Sequence, residues 1–445
     1  MDYDEATYGL VVDETAKSGQ ILTLKTYDDK NWYEKPPLYF WISLAIKDFF
    51  IKEPELGLRL PAAISGILAV IGTMLIAYQV WKNYYISAIS GIVLATTPIF
   101  LEASRQARLD IPVIASIVFG FYCFIRGLEH PRWLLGIGIF AAVGFLFKSV
   151  VGFLIFPIVL IWAILHRNYS LLRNLYFWAG SALMFLLLLP WHFYESFMYG
   201  QEFWNEYLLR HIFQRFSTDI LGGTALDANY FGNLFWLGAP WAVLFVLIAV
   251  WRLTQNRKGF FSNKDIVALF AIIFFIFIIF EIARTKIFYY LLPMFPFMAL
   301  AVAFLCSEIY QKIGGKQVKR YALVAFGLLA VIAISNTYYI AFHKQYDFYI
   351  NQFVADEEKE VGLELAKSDL QKTYVFEYPY RETILYYSKG RILENMNIDQ
   401  ELTESFNLIV SKPLFDRLNF PPEVAKRLST IWKGESVILL RFDYN

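Results

Sequence analysis

Charge is scarce in this 445-residue sequence, at 18% Asp, Glu, Lys and Arg, and cysteine is scarcer, with two in all. The formal net charge of +1 comes without a clustered basic face, because the basic residues sit between hydrophobic runs. That pattern argues against a nucleic-acid partner, which needs a concentrated basic surface. Cys123 and Cys306 both fall inside apolar runs and read as buried free thiols. They specify neither a disulfide framework nor a redox compartment. Internal repeats and low-complexity stretches are absent as well.

What the sequence has in excess is apolar side chains, 57% hydrophobic and 19% aromatic, arranged in long blocks. Charge-free runs cover Leu60–Trp81, Asn83–Leu101, Tyr230–Trp251, Ile287–Ser307 and Tyr321–Phe342. Each approaches the roughly 20 residues that carry a helix across the hydrocarbon. Shorter runs at Ile111–Ile125, Trp133–Phe147, Ser149–Leu165, Asn174–Trp191 and Ile266–Phe280 each have a Lys, Arg or His within two residues of an end. Such side chains snorkel to the interface and lengthen the usable span. The expectation is an α-helical polytopic membrane protein with ten spanning helices, not a soluble core.

Alternating the helices puts thirteen basic residues in the short loops of one side and seven in the loops of the other. Cytoplasmic loops are enriched in Lys and Arg, so the thirteen-residue side is expected to be cytoplasmic. Residues 1–57, the loop 192–229 and the segment 343–445 then face outward, flanking a membrane domain at 58–342. The first of these carries eleven acidic and six basic residues before Arg59. Its outward placement leads us to expect a further spanning helix upstream. In the last hundred residues, Thr373–Tyr378, Leu408–Ser411 and Ser436–Phe442 read as strands, with Arg381–Lys389 as a helix between them. A small α/β extracytoplasmic domain is expected there.

Unusual polar residues collect on the outward side. In Asp2-Tyr3-Asp4-Glu5-Ala6-Thr7-Tyr8, a helix would put Asp4 and Tyr8 on one face. A carboxylate near the interface suits a general base or a metal ligand, although a solvated acidic tail fits the same residues. In Trp32-Tyr33-Glu34-Lys35-Pro36-Pro37-Leu38, the prolines fix a bend and open an amphipathic helix. There Lys35 can meet a phosphate as a point charge; an interfacial turn with aromatic anchors is the plainer alternative. Glu102, Arg105, Arg108 and Asp110 crowd nine residues between two spans, where charge is costly unless paired or functional. Lys148 stands alone between two apolar runs, and Arg284 and Lys286 precede Tyr289 and Tyr290. A cationic funnel for an anionic lipid headgroup explains why outward basic residues gather in these elements. His211 and Arg215, four apart in the long loop, can offer a metal or phosphate ligand, though a lone His is more often structural.

Taken in order, these elements resemble the membrane glycosyltransferases of the GT-C fold, family 39-like, which include the protein O-mannosyltransferases and the aminoarabinose lipid A transferases. The resemblance runs over roughly residues 1–300. It rests on Asp4-Glu5, Glu34-Lys35-Pro36-Pro37, Arg59-Leu60-Pro61, Arg108-Leu109-Asp110, His211 with Arg215-Phe216, and Lys286 with Tyr290-Leu-Leu-Pro293. It implies a sugar carried on a polyprenyl phosphate and transferred with inversion to an acceptor in the cell envelope. That acceptor is lipid A of lipopolysaccharide, another glycolipid or, in protein glycosylation, a protein. By the same resemblance Asp4, with Glu5 and Asp110, is catalytic. Lys35, Arg105, Arg108, Lys148, Arg215, Lys286 and Tyr290 meet the donor phosphate. Glu34 and His211 match positions that hold a divalent metal (zinc, magnesium or manganese) in the aminoarabinose branch. The implied setting is a bacterial cytoplasmic membrane, with the site facing the periplasm or exterior. Two departures stand out: Thr7 where the lipid A branch commonly has Arg, and Lys148-Ser149-Val150 in place of a Lys-Gly-Pro turn. A transporter or flippase of lipid-linked sugars is the alternative from another class. Such proteins commonly show repeats and helices broken at mid-membrane, whereas the charges here lie at helix ends and in loops.

Overall fold

A computed structural model describes residues 3–50, 53–214, 217, 234–235, 238–255, 257–284, 287–312, 314–342, 352–370, 372–376, 378, 382–389, 391, 393–396, 404–418 and 421–444. The chain folds as two compact units, Met1–Asn31 with His343–Asn445, and Trp32–Phe342. Helix α1, Tyr3–Ser18, belongs to the first.

The larger unit is helical: α2 (Leu38–Lys47), α3 (Pro54–Trp81), α4 (Tyr84–Ala95), α5 (Pro98–Arg105), α6 (Asp110–Gly127), α7 (Leu135–Lys148), α8 (Ile155–Leu165), α9 (Leu175–Tyr199), α10 (Trp241–Gln255), α11 (Lys264–Ile282), α12 (Phe295–Lys312) and α13 (Lys316–Phe342). A helix falls on each of the ten apolar runs. Among the described residues, seven segments are long and apolar enough to cross a membrane alone, or eight if the bent pair α4–α5 is one span. The difference from ten is one of length. Helix α10 has 15 residues, and Pro131–Leu165 figures as one 35-residue segment.

That segment doubles back. In a continuous helix residues seven apart stand about 10 Å apart along the axis, yet a Cβ on Gly152 would lie 2.2 Å from the Phe145 amide nitrogen. Hydrogen bonds to other helices agree. Lys148, at the end of α7, bonds Asp110 at the start of α6, whereas His166, just past α8, bonds Asp265 at the start of α11. Helices α7 and α8 therefore run in opposite directions.

Between α4 and α5 the chain bends by 64°. Pro98 brings no N–H and opens α5 at its first turn. In lipid the freed backbone groups need partners. Thr96 and Thr97 donate their hydroxyls to the Ile92 and Val93 carbonyls, and the Thr337 hydroxyl donates to the Thr96 carbonyl. Where α7 crosses α9, glycines let the backbones touch: a Cβ on Gly138 would stand 1.8 Å from the Gly180 carbonyl oxygen. Helix α9 also runs to Tyr199, past the expected start of the loop at residue 192.

The smaller unit carries a five-stranded sheet ordered β4-β3-β5-β7-β6, with β3 at Thr373–Phe376, β4 at Leu393–Asn395, β5 at Phe406–Ser411, β6 at Leu428–Lys433 and β7 at Val437–Phe442. Strand β3 is parallel to β4 and β5, and β7 is antiparallel to β5 and β6. Side chains alternate across a strand. Val375, Ile409, Val437 and Leu439 line one face with Val361 and Leu365 of α14 (Gln352–Lys367), Ile384 of α15 (Glu382–Tyr387) and Leu10 of α1. Tyr374, Leu408, Val410, Ile438 and Leu440 line the other. With both faces covered, the strands read as unbroken apolar runs. The three expected strands and the helix between them are present; β4 and β6 were not expected. A short ribbon, β1 (Lys25–Thr26) with β2 (Lys30–Asn31), completes the unit.

Candidate active site

Asp110 opens α6 and Lys148 closes α7. A carboxylate at a helix N-terminus and an ammonium at a C-terminus both oppose the helix dipole. The hairpin between α6 and α7 sets those two ends side by side, with Lys148 Nζ 2.6 Å from Asp110 Oδ1. The pair is 14% and 11% exposed, and the ammonium lies 5.3 Å from the centre of the Tyr290 ring.

Two residues before Asp110, Arg108 is 4% exposed. Its Nε donates to Gln106 Oε1 at 3.0 Å, and its guanidinium lies 4.4 Å over the Tyr289 ring. The Tyr289 hydroxyl donates to Glu102 Oε1 at 3.4 Å and Gln106 Oε1 at 3.3 Å. Arg105, by contrast, is exposed on the last turn of α5.

A third group forms where the chain enters α2. Pro36 and Pro37 stop any earlier helix, and α2 then buries Tyr39, Phe40 and Ser43 on one face. The Tyr39 hydroxyl donates to the Leu58 carbonyl, which anchors the bend to α3. Buried Lys35 donates to Glu34 Oε1 at 2.6 Å, and the same oxygen is 3.8 Å from His211 Nδ1. Glu206 approaches the other ring nitrogen at 3.9 Å. His211 lies on a π-helix, Asn205–Gln214, which also carries Tyr207. Aromatic packing joins this group to the Lys148 turn: Tyr33 meets Phe203 at 5.6 Å, and Phe203 stacks on Tyr207 at 5.1 Å. The Tyr207 and Ser149 hydroxyls share a hydrogen bond of 3.2 Å. Burial pushes the Tyr207 phenol well above its ordinary pKa against the pull of Ser149, so it stays neutral.

The structure thus brings together Asp110, Lys148 and Tyr290 in one group and Glu34, Lys35 and His211 in another, with Arg108 held beside Tyr289. Asp4 and Glu5 lie in the other unit, on α1, where Glu5 is 1% exposed and Asp4 half-buried. A helix, not a solvated tail, therefore carries this acidic motif. Arg215 and Lys286 lie outside the described residues. Glu34 and His211 do not fit a metal ion as they stand, because an ammonium already neutralises the Glu34 oxygen that faces the ring. Among the described residues no three His, Cys, Asp or Glu side chains converge as a metal site. Sequence reasoning named neither Gln106, Tyr207 nor Tyr289 as a site residue. The position of Tyr207 four before His211 was the available signal.

The opposite end of the unit is held by a separate polar network. Trp81 Nε1 donates to Asp265 Oδ2 at 2.9 Å, and Gln79 Nε2 to Glu129 Oε2 at 2.9 Å. Arg126 and Lys82, from the loops richer in basic residues, also lie there.

Residues 34–194 match the family described as dolichyl-phosphate-mannose-protein mannosyltransferase. A protein of Aquifex aeolicus (strain VF5), described as uncharacterized, is 29% identical over 342 residues, covering 75% of this chain and 64% of its own length. The undecaprenyl phosphate-alpha-4-amino-4-deoxy-L-arabinose arabinosyl transferase 1 of Proteus mirabilis (strain HI4320) is 24% identical over 355 residues, 77% of this chain and 62% of that protein. The chain thus spans a little under two thirds of the length of these relatives. The crystal structure of ArnT from Cupriavidus metallidurans bound to undecaprenyl phosphate superposes with a TM-score of 0.73 at 16% identity, over 98% of this chain and 93% of that one. The resemblance drawn from the sequence holds: this is a polytopic membrane protein with the GT-C fold of ArnT.

Proposed function

We propose that the chain is a glycosyltransferase that takes a sugar from a polyprenyl-phosphate donor and passes it, with inversion, to an acceptor on an envelope lipid or a protein. The observation that carries this reading is that one apolar helical unit largely buries three cations, Lys35, Arg108 and Lys148, with Lys148 against Asp110 and Tyr290 and Arg108 against Tyr289. Buried cations are costly unless paired or functional, and a lipid phosphate is the anion that belongs at such a place. The donor named for the relatives is of the same class.

In the reaction the bond from the anomeric carbon to the phosphate oxygen breaks, and its electron pair leaves with the phosphate. Cations fixed beforehand around that oxygen stabilise the developing charge most directly. Lys35 and Lys148 are assigned to it with Arg105, Arg108, Arg215, Lys286 and Tyr290. The acceptor attacks the opposite face and gives up its proton to a carboxylate. Asp4 is assigned that role by resemblance, with Glu5 and Asp110 as the further acidic residues. The charge bias of the loops supports a site on the outward side, in this reading of a bacterial cytoplasmic membrane.

Mass spectrometry of envelope lipids and glycoproteins tests the reading, in cells with the wild-type gene, without it, and with Lys35→Ala. The expected result is one glycosylated product that disappears in the last two, while the polyprenyl-phosphate sugar accumulates. Unchanged lipids and glycoproteins would overturn it. The break between α4 and α5 favours one other reading, a transporter of lipid-linked sugar. That reading predicts donor build-up on the cytoplasmic leaflet and no transfer by the purified protein.

A further inference from the structure

We propose that Tyr207 is a positioning residue, whose hydroxyl pins the Lys148–Ser149 turn and thereby fixes Lys148 against Asp110. The inference rests on the reading above only in taking Lys148 as part of the donor-phosphate site.

The turn is strained. Ser149 adopts φ 55° and ψ −141°, a region that glycine enters freely and residues with a Cβ rarely do. The chain around it cannot relax, since Gly152 is packed against the backbone of Gly144 and Phe145 with no room for a Cβ. A residue persists in such a conformation only when its surroundings over-determine it. The surroundings of Ser149 include one hydroxyl partner from a distant part of the chain, Tyr207, at 3.2 Å. Both residues are buried, Ser149 at 8% and Tyr207 at 2% exposure, so the bond is shielded from water.

The phenol is itself rigidly aimed. Its ring stacks on Phe203 at an interplanar angle of 9° and stands edge-on to Trp191 at 84°. What it pins is adjacent to the chemistry: Lys148 directly precedes Ser149, and its ammonium meets Asp110 at 2.6 Å. Without the Tyr207 hydroxyl the ring still fills its place, but the turn can trade its strained conformation for another and carry Lys148 off Asp110. An ordinary core tyrosine would lack this effect, and glycine at residue 149 would make the pin unnecessary.

The test reads the amine, not the reaction. Full-length protein in detergent is pulsed with an amine-acetylating reagent, and labelling of each lysine is followed by mass spectrometry. In Tyr207→Phe, labelling of Lys148 is expected to rise roughly five- to tenfold, the scale of one lost buried hydrogen bond. Lys35, whose side chain is 10% exposed against 14% for Lys148, should stay protected and so reports that the fold is intact. In Ser149→Gly/Tyr207→Phe, Lys148 should return to within about twofold of wild type, because the glycine turn is unstrained. Ser149→Ala alone should match Tyr207→Phe, since it cuts the same bond from the other side. Lys148 labelling that is unchanged in both single variants, or a double variant as reactive as Tyr207→Phe, overturns the proposal. Loss of sugar transfer bears on the functional reading alone, because labelling needs no donor or acceptor.

Discussion

Replacing Lys148 by methionine strips a largely buried carboxylate of its partner and leaves the apolar stem in place. Removing one member of a buried ion pair costs about 3–5 kcal/mol, because the charge left behind stays desolvated, whereas replacing both members with neutral groups is often near neutral. Asp110 and Lys148 keep 11% and 14% exposure, so the low end, about 3 kcal/mol, is expected for Lys148→Met. Asp110→Asn/Lys148→Met should lie within about 1 kcal/mol of wild type. The assay is thermal unfolding of the full chain in one detergent. One kcal/mol shifts Tm by roughly 2–4 °C in domains of 150–250 residues and by less in longer chains, so the single variant should melt about 3–6 °C early. Donor-dependent transfer should fall by roughly 10²–10³ in both variants, as when a preorganised electrostatic group is lost. Recovered stability without recovered transfer separates the scaffold from the chemistry. A double variant as unstable as the single one refutes the buried-pair reasoning, and a double variant that still transfers sugar refutes the catalytic assignment.

Two further outcomes concern the rest of the molecule. In the smaller unit, burial raises Glu358 from about 4.5 to about 7, aided by the Glu382 charge and opposed by the Tyr378 hydroxyl at 2.6 Å. Its stabilising share is complete below about pH 4.5 and lost as pH rises through 7, on the order of 3 kcal/mol in all. Amide protection in β5 and β7, corrected for intrinsic rates, should therefore be higher at pH 5 than at pH 8, and Glu358→Gln should flatten that slope; equal protection in wild type would contradict the burial argument. In the larger unit, Gly138→Ala forces a methyl against the Gly180 carbonyl and should cost about 1–3 kcal/mol. Gly327→Ala, where no atom lies within 4 Å, should melt as wild type does, and equal melting of the two variants would sink the close-crossing account.

Much of the architecture was legible because both of its signals are local. Charge-free runs mark helices in lipid whatever their neighbours, and apolar runs such as Leu408–Val410 mark strands buried on both faces. The Pro36-Pro37 bend and the amphipathic α2 follow from proline chemistry alone. The pairing of Asp110 with Lys148 was not legible, although both residues were singled out, because it depends on where the α6–α7 hairpin brings its ends. Tyr289 was noted beside Tyr290 but given no role, since only the packing shows which ring lies against Arg108. The union of α1 with the C-terminal sheet had no sequence signal either: Gly9 gives way to the Tyr386 ring, a contact between opposite ends of the chain.

That union constrains the path of everything between. Leu10 shares one core with Val361, Ile384 and Val437, and a folded core cannot be divided by a bilayer. Asn31 and Gln352 must stand on the same side, so the chain between them crosses an even number of times. Seven crossings are ruled out. So are nine, the total reached when α7 and α8 count separately and α4–α5 counts once. Among the described helices, with α4–α5 taken as one crossing, α10 is the one that brings the total to an even number, although its 15 residues make only about 22 Å of helix in a hydrocarbon layer about 30 Å thick. The bilayer has to thin around it, or the polar flanks of α10 have to dip inward.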